Sequence, residues 1–221
     1  MTRRDVVLVV LLIAAAIVAA GSWLVWDKFY REAPQSASIT GDADSTFLYG
    51  SIGNESTIGL PYWVVVVLPR VFGERYLPGP GGYAAVVPWE EGRELPVGFA
   101  KKRVGVDRVG FNCALCHTTV RRLPDHDTPR IVAAGALHAA DVRRLADFFT
   151  SAASDARFNA DTILTEIDLA YRLSVLDRLL YRYVWIPRSR ERLLALGREL
   201  TSPHAATGDA RSAPFPTSPI R

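Results

Sequence analysis

The sequence predicts a mainly α-helical domain with an irregular, short-strand N-terminal part, preceded by one transmembrane helix. Three observations support this prediction. Residues 6–26 are uncharged and apolar over a length that crosses a bilayer as a helix. Residues 77–99 are rich in Pro and Gly, which favours extended or hairpin-like structure. Between residues 139 and 200, apolar residues recur at three- and four-residue spacing, the period of amphipathic helices.

The apolar run VVLVVLLIAAAIVAAGSWLVW at 6–26 indicates an uncleaved membrane anchor. Arg3 and Arg4 precede it and residues 27–32 balance their own charges, so the positive-inside rule places the N-terminus in the cytoplasm. A cleaved signal peptide with a small-residue site at 18–20 is the alternative. The apolar core of a signal peptide usually runs for only about 7 to 15 residues, and this longer run therefore favours a single-pass anchor.

Composition divides the rest of the chain. Residues 1–5 are the cytoplasmic N-terminus, and the small polar residues of 27–46 indicate a linker. Residues 47–200 are the expected folded domain, and the Pro-rich residues 201–221 are a predicted disordered tail. The net charge is only +3, and no compact basic run carries interleaved aromatic residues, so nucleic acid is not an expected partner.

The first elements of the domain are expected around its prolines. Pro61 can open a helix over 61–72, although the valine run there also suits a strand. A short amphipathic segment follows at 106–111.

The second half of the domain is predicted to be helical. One is expected over 139–151, one begins after a cap at Asn159, and a last one covers 190–200. A further apolar stripe lies before the last helix and comprises Val175, Leu176, Leu179, Leu180 and Tyr183.

The two cysteines of the chain both lie in Cys113-Ala114-Leu115-Cys116-His117. A C-x-x-C-H run is typical of covalent attachment of one haem c, in which both thiols bond to vinyl groups and the adjacent imidazole binds the iron. Two intervening residues make one tight turn, so both sulfurs can reach one porphyrin edge. We therefore expect Cys113 and Cys116 to hold the haem and His117 to be the proximal iron ligand.

The anchor and this motif agree on location. A single anchor at 6–26 places the cysteines on the side of the membrane where bacteria attach haem c. The expected location is the bacterial inner membrane, with the C-terminal domain in the periplasm. The segment 106–111 would then be a helix end that leads into the haem motif.

The cysteine pair has three alternative interpretations. A dithiol redox motif normally accompanies a βαβ pattern, which is not visible near it. A zinc site needs four ligands, and the sequence has no second cysteine pair. A disulfide across so short a loop would contribute little stability.

Several sequence blocks carry a resemblance to a known family. They are FLYGSIG at 47–53, GLPYWVVVVLPRVF at 59–72, LPVGF at 95–99, VGFNCALCH at 109–117 and SDARFNADTIL at 154–164.

Together these blocks resemble membrane-anchored bacterial c-type cytochromes, which are distantly related to di-haem cytochrome c peroxidases and the di-haem rubber oxygenase. The likeness covers roughly 45–195. It implies a cytochrome c-like haem domain in which Cys113 and Cys116 hold haem and His117 is proximal. Such proteins usually carry a second C-x-x-C-H, whereas this chain has one, so it resembles only the first-haem half.

The distal iron ligand is not a methionine of the domain, because Met1 is the only methionine. The other histidines are His126, His138 and His204. His138 follows an apolar stretch at the expected start of a helix and is the candidate distal ligand. An open or water-bound iron is the alternative.

Other residues are candidates for the surroundings of the haem. Aromatic residues that could line it are Tyr83, Trp89 and Phe111. Arginines that could contact its propionates are Arg103, Arg108, Arg121 and Arg122.

The sequence thus predicts a membrane-tethered, periplasm-facing cytochrome that transfers electrons to a redox partner protein. The alternative is a haem enzyme, peroxidase- or oxygenase-like, or the truncated half of a di-haem enzyme. An open distal position would favour the enzyme, whereas the missing second motif favours the electron carrier.

Covalent attachment predicts that acid–acetone extraction leaves the haem on the protein, because thioether bonds survive conditions that release non-covalent haem. The measurement is the haem absorbance of the precipitated protein after expression with periplasmic maturation. Haem found only in the extract would contradict attachment through Cys113 and Cys116.

Overall fold

The computed structural model describes residues 2–77, 79, 81–121, 130–135 and 139–201 of the 221-residue chain. Of the described residues 61% are helical, which confirms a mainly helical protein with one long apolar N-terminal helix.

The chain divides into two compact units. Unit 1 comprises Met1–Val67 and Pro88–Ala140, and unit 2 comprises Leu68–Val87 and Asp141–Arg221. The haem motif predicted from the sequence lies wholly in unit 1.

Helix α1 spans Arg3–Phe29 and contains the predicted anchor. It begins in a capping box: the Thr2 hydroxyl accepts from the Asp5 N–H at 3.3 Å, and the Asp5 carboxylate accepts from the Thr2 N–H at 2.7 Å. Its apolar side chains are exposed on all sides. Among the described residues it is the one helix long and apolar enough to cross a membrane.

The residues predicted to be a linker, 27–46, hold regular structure in unit 1. Helix α2 covers Ala37–Thr40 and helix α3 covers Ala43–Tyr49. The Asp42 carboxylate caps α3 by accepting from the Ser45 N–H at 2.8 Å. Small polar residues suit caps and turns as well as linkers, so composition alone did not reveal these short helices.

Strand β1 is Leu60–Pro61, and helix α4 follows directly over Tyr62–Tyr76. The helical interpretation of the valine run is therefore confirmed over the strand. Val64, Val65 and Val67 are fully buried, so packing outweighs the strand preference of valine.

Strand β2, Phe99–Val104, and strand β3, Val106–Phe111, form a hairpin around Gly105. With β1 they make an antiparallel sheet of order β1-β3-β2. Gly105 has φ of +71°, a conformation that favours glycine. The expectation that 106–111 is a helix end is wrong, because this β-prone segment finds a hydrogen-bonding partner across the turn.

The sequence predicts extended or hairpin-like structure over 77–99, and the described residues of that stretch form no hairpin. The described residues of this stretch contain a short 3₁₀ turn, Gly82–Ala85, and further turns, and strand β2 begins only at its end. Proline lacks the N–H that a ladder needs, which limits strand pairing here.

After the haem motif, strands β4, Thr118–Arg121, and β5, Arg130–Ala133, pair as a second antiparallel sheet.

Four helices make up most of unit 2, with a π-helical turn at Tyr181–Trp185 joining the last two. They are α5 at Val142–Ser154, α6 at Ala160–Ala170, α7 at Val175–Leu180 and α8 at Ile186–Thr201.

The predicted cap of α6 is confirmed, because the Asn159 side chain accepts from the Thr162 N–H at 3.0 Å. The core of unit 2 is aromatic. Phe72 stacks on Phe158 with ring centres 6.0 Å apart, and Tyr83 packs edge-on against Phe148 at 5.9 Å.

The apolar stripe before the last helix does not lie in this core. Val175 is 80% exposed and Tyr183 is 71% exposed, whereas Tyr181 and Trp185 are buried. The helical spacing was recognised correctly, but the sequence could not show which face packs. Of the predicted tail, 201–221, only Thr201 is described, as the last residue of α8; the rest lies outside the described residues.

Asp155 ties α5 to the rest of unit 2. Its carboxylate accepts from the Arg157 side chain at 2.9 Å, from the Arg157 N–H at 2.8 Å and from the Tyr76 hydroxyl at 2.9 Å. These contacts hold the pKa of Asp155 well below its usual range, and the hydrogen bond from the Arg157 side chain is the largest cause.

Asp155→Asn should lower the melting temperature at neutral pH. Because folding lowers the pKa, this stabilisation is present above the unfolded-state pKa of about 3.9 and disappears as pH falls through the folded-state value. The difference in melting temperature between wild type and variant should therefore become smaller below about pH 4. Asp147→Asn, at an exposed position of α5, is the control. A difference in melting temperature that stays constant with pH would contradict a stabilising role for the ionised Asp155 carboxylate.

Candidate functional site

The haem motif forms one tight turn at the end of strand β3. Cys113–Leu115 is a single 3₁₀ turn, and the N–H groups of Cys116 and His117 both donate to the Cys113 carbonyl, at 3.2 Å and 2.9 Å. Cys113 and His117 are exposed, Cys116 is half-buried, and neither cysteine is in a disulfide. The turn therefore presents two thiols and an imidazole at the surface of unit 1.

A buried asparagine holds this turn in place. The Asn112 side-chain oxygen accepts from the Ala114 N–H at 3.0 Å, which caps the turn. Its amide nitrogen donates to the carbonyls of Phe47 at 3.1 Å and Gly50 at 2.9 Å. The Asn112 N–H itself donates to the Gly98 carbonyl at 2.9 Å. The Asn112 side chain thus connects the motif to the end of α3, and its backbone N–H connects the motif to the residue before β2.

The residues between the cysteines face inward. Ala114 is fully buried in an apolar cluster with Leu48, Tyr49 and Val97. Leu115 is also buried, and its backbone passes so close to Gly98 that a Cβ there would lie 2.5 Å from the Leu115 nitrogen. Ala114 and Leu115 thus pack inward, whereas Cys113 and His117 are exposed and Cys116 is half-buried.

The Cys116 thiol is partly desolvated. Burial, with a smaller contribution from neighbouring Cys113, raises the pKa of Cys116 above that of an ordinary thiol.

Within the described residues, no group of three or more His, Cys, Asp or Glu side chains could hold a metal ion. A zinc site built on this cysteine pair therefore finds no further ligands in that part of the chain. Two thiols and an imidazole within one turn are the donors that a covalently bound haem requires.

A groove of about 670 Å³ lies on unit 1 close to the motif. It is lined by residues that include Leu48 and Ile131, which also belong to the apolar cluster around Ala114. Trp89, predicted to line the haem, lines this groove. The motif side chains are not among its lining residues, so the groove adjoins the turn rather than containing it.

Two charged residues that line the groove, Glu90 and Arg93, contact Tyr49. The Tyr49 hydroxyl donates to the Glu90 carboxylate at 2.7 Å, and the Arg93 guanidinium lies over the Tyr49 ring at 4.6 Å from its centre. Burial raises the pKa of Tyr49, so this hydroxyl remains a donor at any physiological pH.

The other predicted aromatic residues are structural. Phe111 is buried and packs edge-on against Phe99 with ring centres 4.8 Å apart. Tyr83 belongs to the core of unit 2, and its hydroxyl is deeply buried there, which raises its pKa.

The arginines predicted to bind propionates have other positions. Arg108 donates to the backbone carbonyls of Phe29, Glu55 and Ser56, so it serves the fold of unit 1. Arg103 is exposed on β2, and Arg121 pairs with Arg130 in the backbone register of β4 and β5. Arg122 and the histidines considered as distal ligands, His126, His138 and His204, lie outside the described residues.

Sequence reasoning missed Asn112 and Gly98. Asn112 stands directly before the motif, and asparagine at the start of a helical turn is a recognisable cap, so that part of its role had a signal. Its bonds to Phe47 and Gly50 join residues more than 60 positions apart, and no local pattern reveals them.

Comparisons of the chain with protein-family models, with curated proteins and with solved structures give no match.

Asn112→Ala should weaken unit 1 and reduce the haem carried per chain. The substitution leaves buried carbonyl and N–H groups without their partner, at a cost of about 2–3 kcal/mol. Stability can be followed by denaturant unfolding, and haem content by absorbance per mole of protein. Asn159→Ala is the matched control, because it removes an asparagine cap from unit 2. Equal haem content in the two variants would contradict a positioning role for Asn112.

Proposed function

We propose that the chain is a membrane-tethered c-type cytochrome that binds one covalent haem and transfers electrons on the periplasmic side of a bacterial inner membrane. The observation that carries the proposal is the tight turn at 113–117, in which Cys113 and His117 are exposed and Cys116 is half-buried. This proposal also includes the resemblance to membrane-anchored c-type cytochromes, which rests on the sequence blocks around the motif.

The residues of the turn have separate tasks. Each thiol, of Cys113 and of Cys116, adds across a vinyl double bond, so that a carbon–sulfur bond forms and the thiol hydrogen moves to the neighbouring carbon. This addition needs no oxidant. His117 would supply a nitrogen ligand to the iron. When bound, the haem supplies a one-electron redox centre whose potential depends on axial ligands and burial.

The anchor supports the tethered location. The charged ends of helix α1, with Arg3 and Arg4 on one side and residues from Asp27 on the other, flank an apolar span. The positive-inside rule favours an N-terminus in the cytoplasm. That orientation would deliver the motif to the compartment in which bacteria attach haem c.

Hydrogen bonds connect the anchor to the hairpin that carries the motif. The Gly105 N–H donates to the Arg31 carbonyl at 2.8 Å, and the Ala33 N–H donates to the Arg103 carbonyl at 3.1 Å. An ion pair of 2.7 Å joins Lys102 and Glu32. These contacts favour an electron carrier that works close to its membrane, because the motif is attached through strand β3 rather than through a loose linker.

The length of strand β3 determines how far the motif lies from the Gly105 turn. Its six residues, at about 3.3 Å each, place the motif about 20 Å from the Gly105 turn beside the anchor exit. A redox partner would then meet the haem near the membrane surface.

A haem enzyme is the second candidate, and one observation favours it. The domain contains no methionine, so the iron has no methionine ligand from this chain and its distal position is available to peroxide, dioxygen or water. A second haem motif, which the related di-haem enzymes use, is absent from this sequence.

Spectroscopy separates the two functions. The ferric protein should lack the near-infrared charge-transfer band of His/Met haem, since the only methionine of the sequence is Met1, which precedes the apolar run in the sequence. His117→Ala should lose the native spectrum or fail to mature, whereas Thr119→Ala, two residues along, is the control and should retain it. A low-spin spectrum unaffected by peroxide supports electron transfer, and a high-spin spectrum that shifts with peroxide supports the enzyme. The methionine band would contradict this account of the ligands.

A further inference from the structure

One segment of unit 1 crosses the haem motif in direct backbone contact. Gly98, the residue before strand β2, has φ of +84°, and a Cβ built on it would lie 2.5 Å from both the nitrogen and the Cα of Leu115. Side-chain Cβ atoms essentially never approach another heavy atom within 3.0 Å, and backbone atoms cannot swing aside as the end of a side chain can. Glycine is therefore required where this segment passes Leu115.

Hydrogen bonds on both sides fix the position of this crossing. The Gly98 N–H donates to the Leu48 carbonyl at 2.9 Å, and the Gly98 carbonyl accepts from the Asn112 N–H at 2.9 Å. The neighbouring Val97 is fully buried in the cluster that also contains Ala114. The crossing segment therefore cannot move away from the motif without breaking these bonds and opening the apolar cluster.

The crossing point lies between the two cysteines. Leu115 comes after Cys113 and directly before Cys116. The Leu115 N–H donates to the Asn112 carbonyl at 3.2 Å, and the Cys116 N–H donates to the Cys113 carbonyl at 3.2 Å, so the backbone at 115 links the two cysteines within one turn. A displacement of Leu115 would therefore change the separation of the two thiols.

Other glycines of unit 1 separate this close approach from the positive φ itself. Gly53 and Gly92 also have left-handed backbones, with φ of +87° and +80°, but a Cβ at either position would have no heavy atom within 4 Å. A substitution at Gly92 would therefore strain φ alone, whereas one at Gly98 would in addition push against Leu115. Gly92 is thus the matched control for an effect that passes through the motif.

We propose that the Gly98 crossing sets the separation of Cys113 and Cys116, so that both thiols, rather than one, bond to the haem. This inference rests on the covalent haem of the proposed function. Gly98 is a positioning residue, because it acts through the Leu115 backbone.

The two thioether bonds form by separate additions. In each, a carbon–sulfur bond forms to one vinyl carbon and the thiol hydrogen moves to the other, so the addition needs no oxidant and leaves the total mass unchanged. A chain in which only one thiol is well placed would bond once and keep one free thiol and one unreacted vinyl group. Single and double attachment therefore have the same intact mass, whereas haem absorbance distinguishes them.

The test compares Gly98→Ala with Gly92→Ala in the full chain after periplasmic maturation. The absorption band of the pyridine complex of ferrous haem moves to longer wavelength for each vinyl group that stays conjugated with the porphyrin. Wild type and Gly92→Ala should show the band of two thioether bonds. Gly98→Ala should carry several-fold less haem per chain, and its haem-loaded chains should show the band at longer wavelength and one thiol that reacts with iodoacetamide after denaturation.

Three results would overturn the proposal. Gly98→Ala with the wild-type band and haem content would show that the crossing does not determine attachment. Equal changes in the two variants would assign the effect to the positive φ rather than to the contact with Leu115. A wild-type chain that carries no haem would contradict the proposed function and this inference together, whereas the first two results leave the proposed function in place.

A measurement on the wild-type chain keeps the proposal testable if circular dichroism shows that Gly98→Ala does not fold. In the full chain expressed without haem-attachment machinery, hydrogen exchange at the Asn112 and Leu115 N–H groups should be slow, because the crossing holds the turn before the cofactor binds. Exchange as fast as in an unfolded peptide would overturn the proposal.

Discussion

The hydrogen bonds of one buried asparagine decide how the haem motif is presented. Asn112 caps the turn that follows it and also binds the carbonyls of Phe47 and Gly50. A C-x-x-C-H segment without such support would sample many conformations, and its thiols and imidazole would rarely share one face. The buried side chain removes that freedom in advance, so the turn is organised before any cofactor arrives.

The same hairpin that ends at Asn112 begins beside the membrane anchor. Gly105 can make the tight turn because its φ is +71°, and its backbone approaches Lys28 so closely that a Cβ would lie 2.2 Å from the Lys28 carbonyl oxygen. Anchor, hairpin and motif are consequently linked by backbone contacts within unit 1. This link makes the proposed cytochrome a carrier of limited reach, and it explains why residues 27–46 are more than a spacer.

Sequence reasoning succeeded where the signal is local. The apolar run of α1, the Asn159 cap and the helical periodicity of unit 2 each depend on neighbouring residues, and the structure confirms them. It failed where residues distant in the sequence determine the secondary structure or the exposure of a side chain. Residues 106–111 become a strand because 99–104 lies across the turn, and Val175 is exposed because the opposite face of its helix packs. The haem itself stays a prediction from the motif, supported by an accessible and well-braced turn.

The most direct test of the central claim is the intact mass of the protein after periplasmic maturation, measured beside Cys113→Ser/Cys116→Ser. The account predicts that the wild-type chain is heavier than its polypeptide by one haem and that the double variant has the polypeptide mass alone. A wild-type mass equal to that of the polypeptide would contradict covalent haem and, with it, the proposed cytochrome.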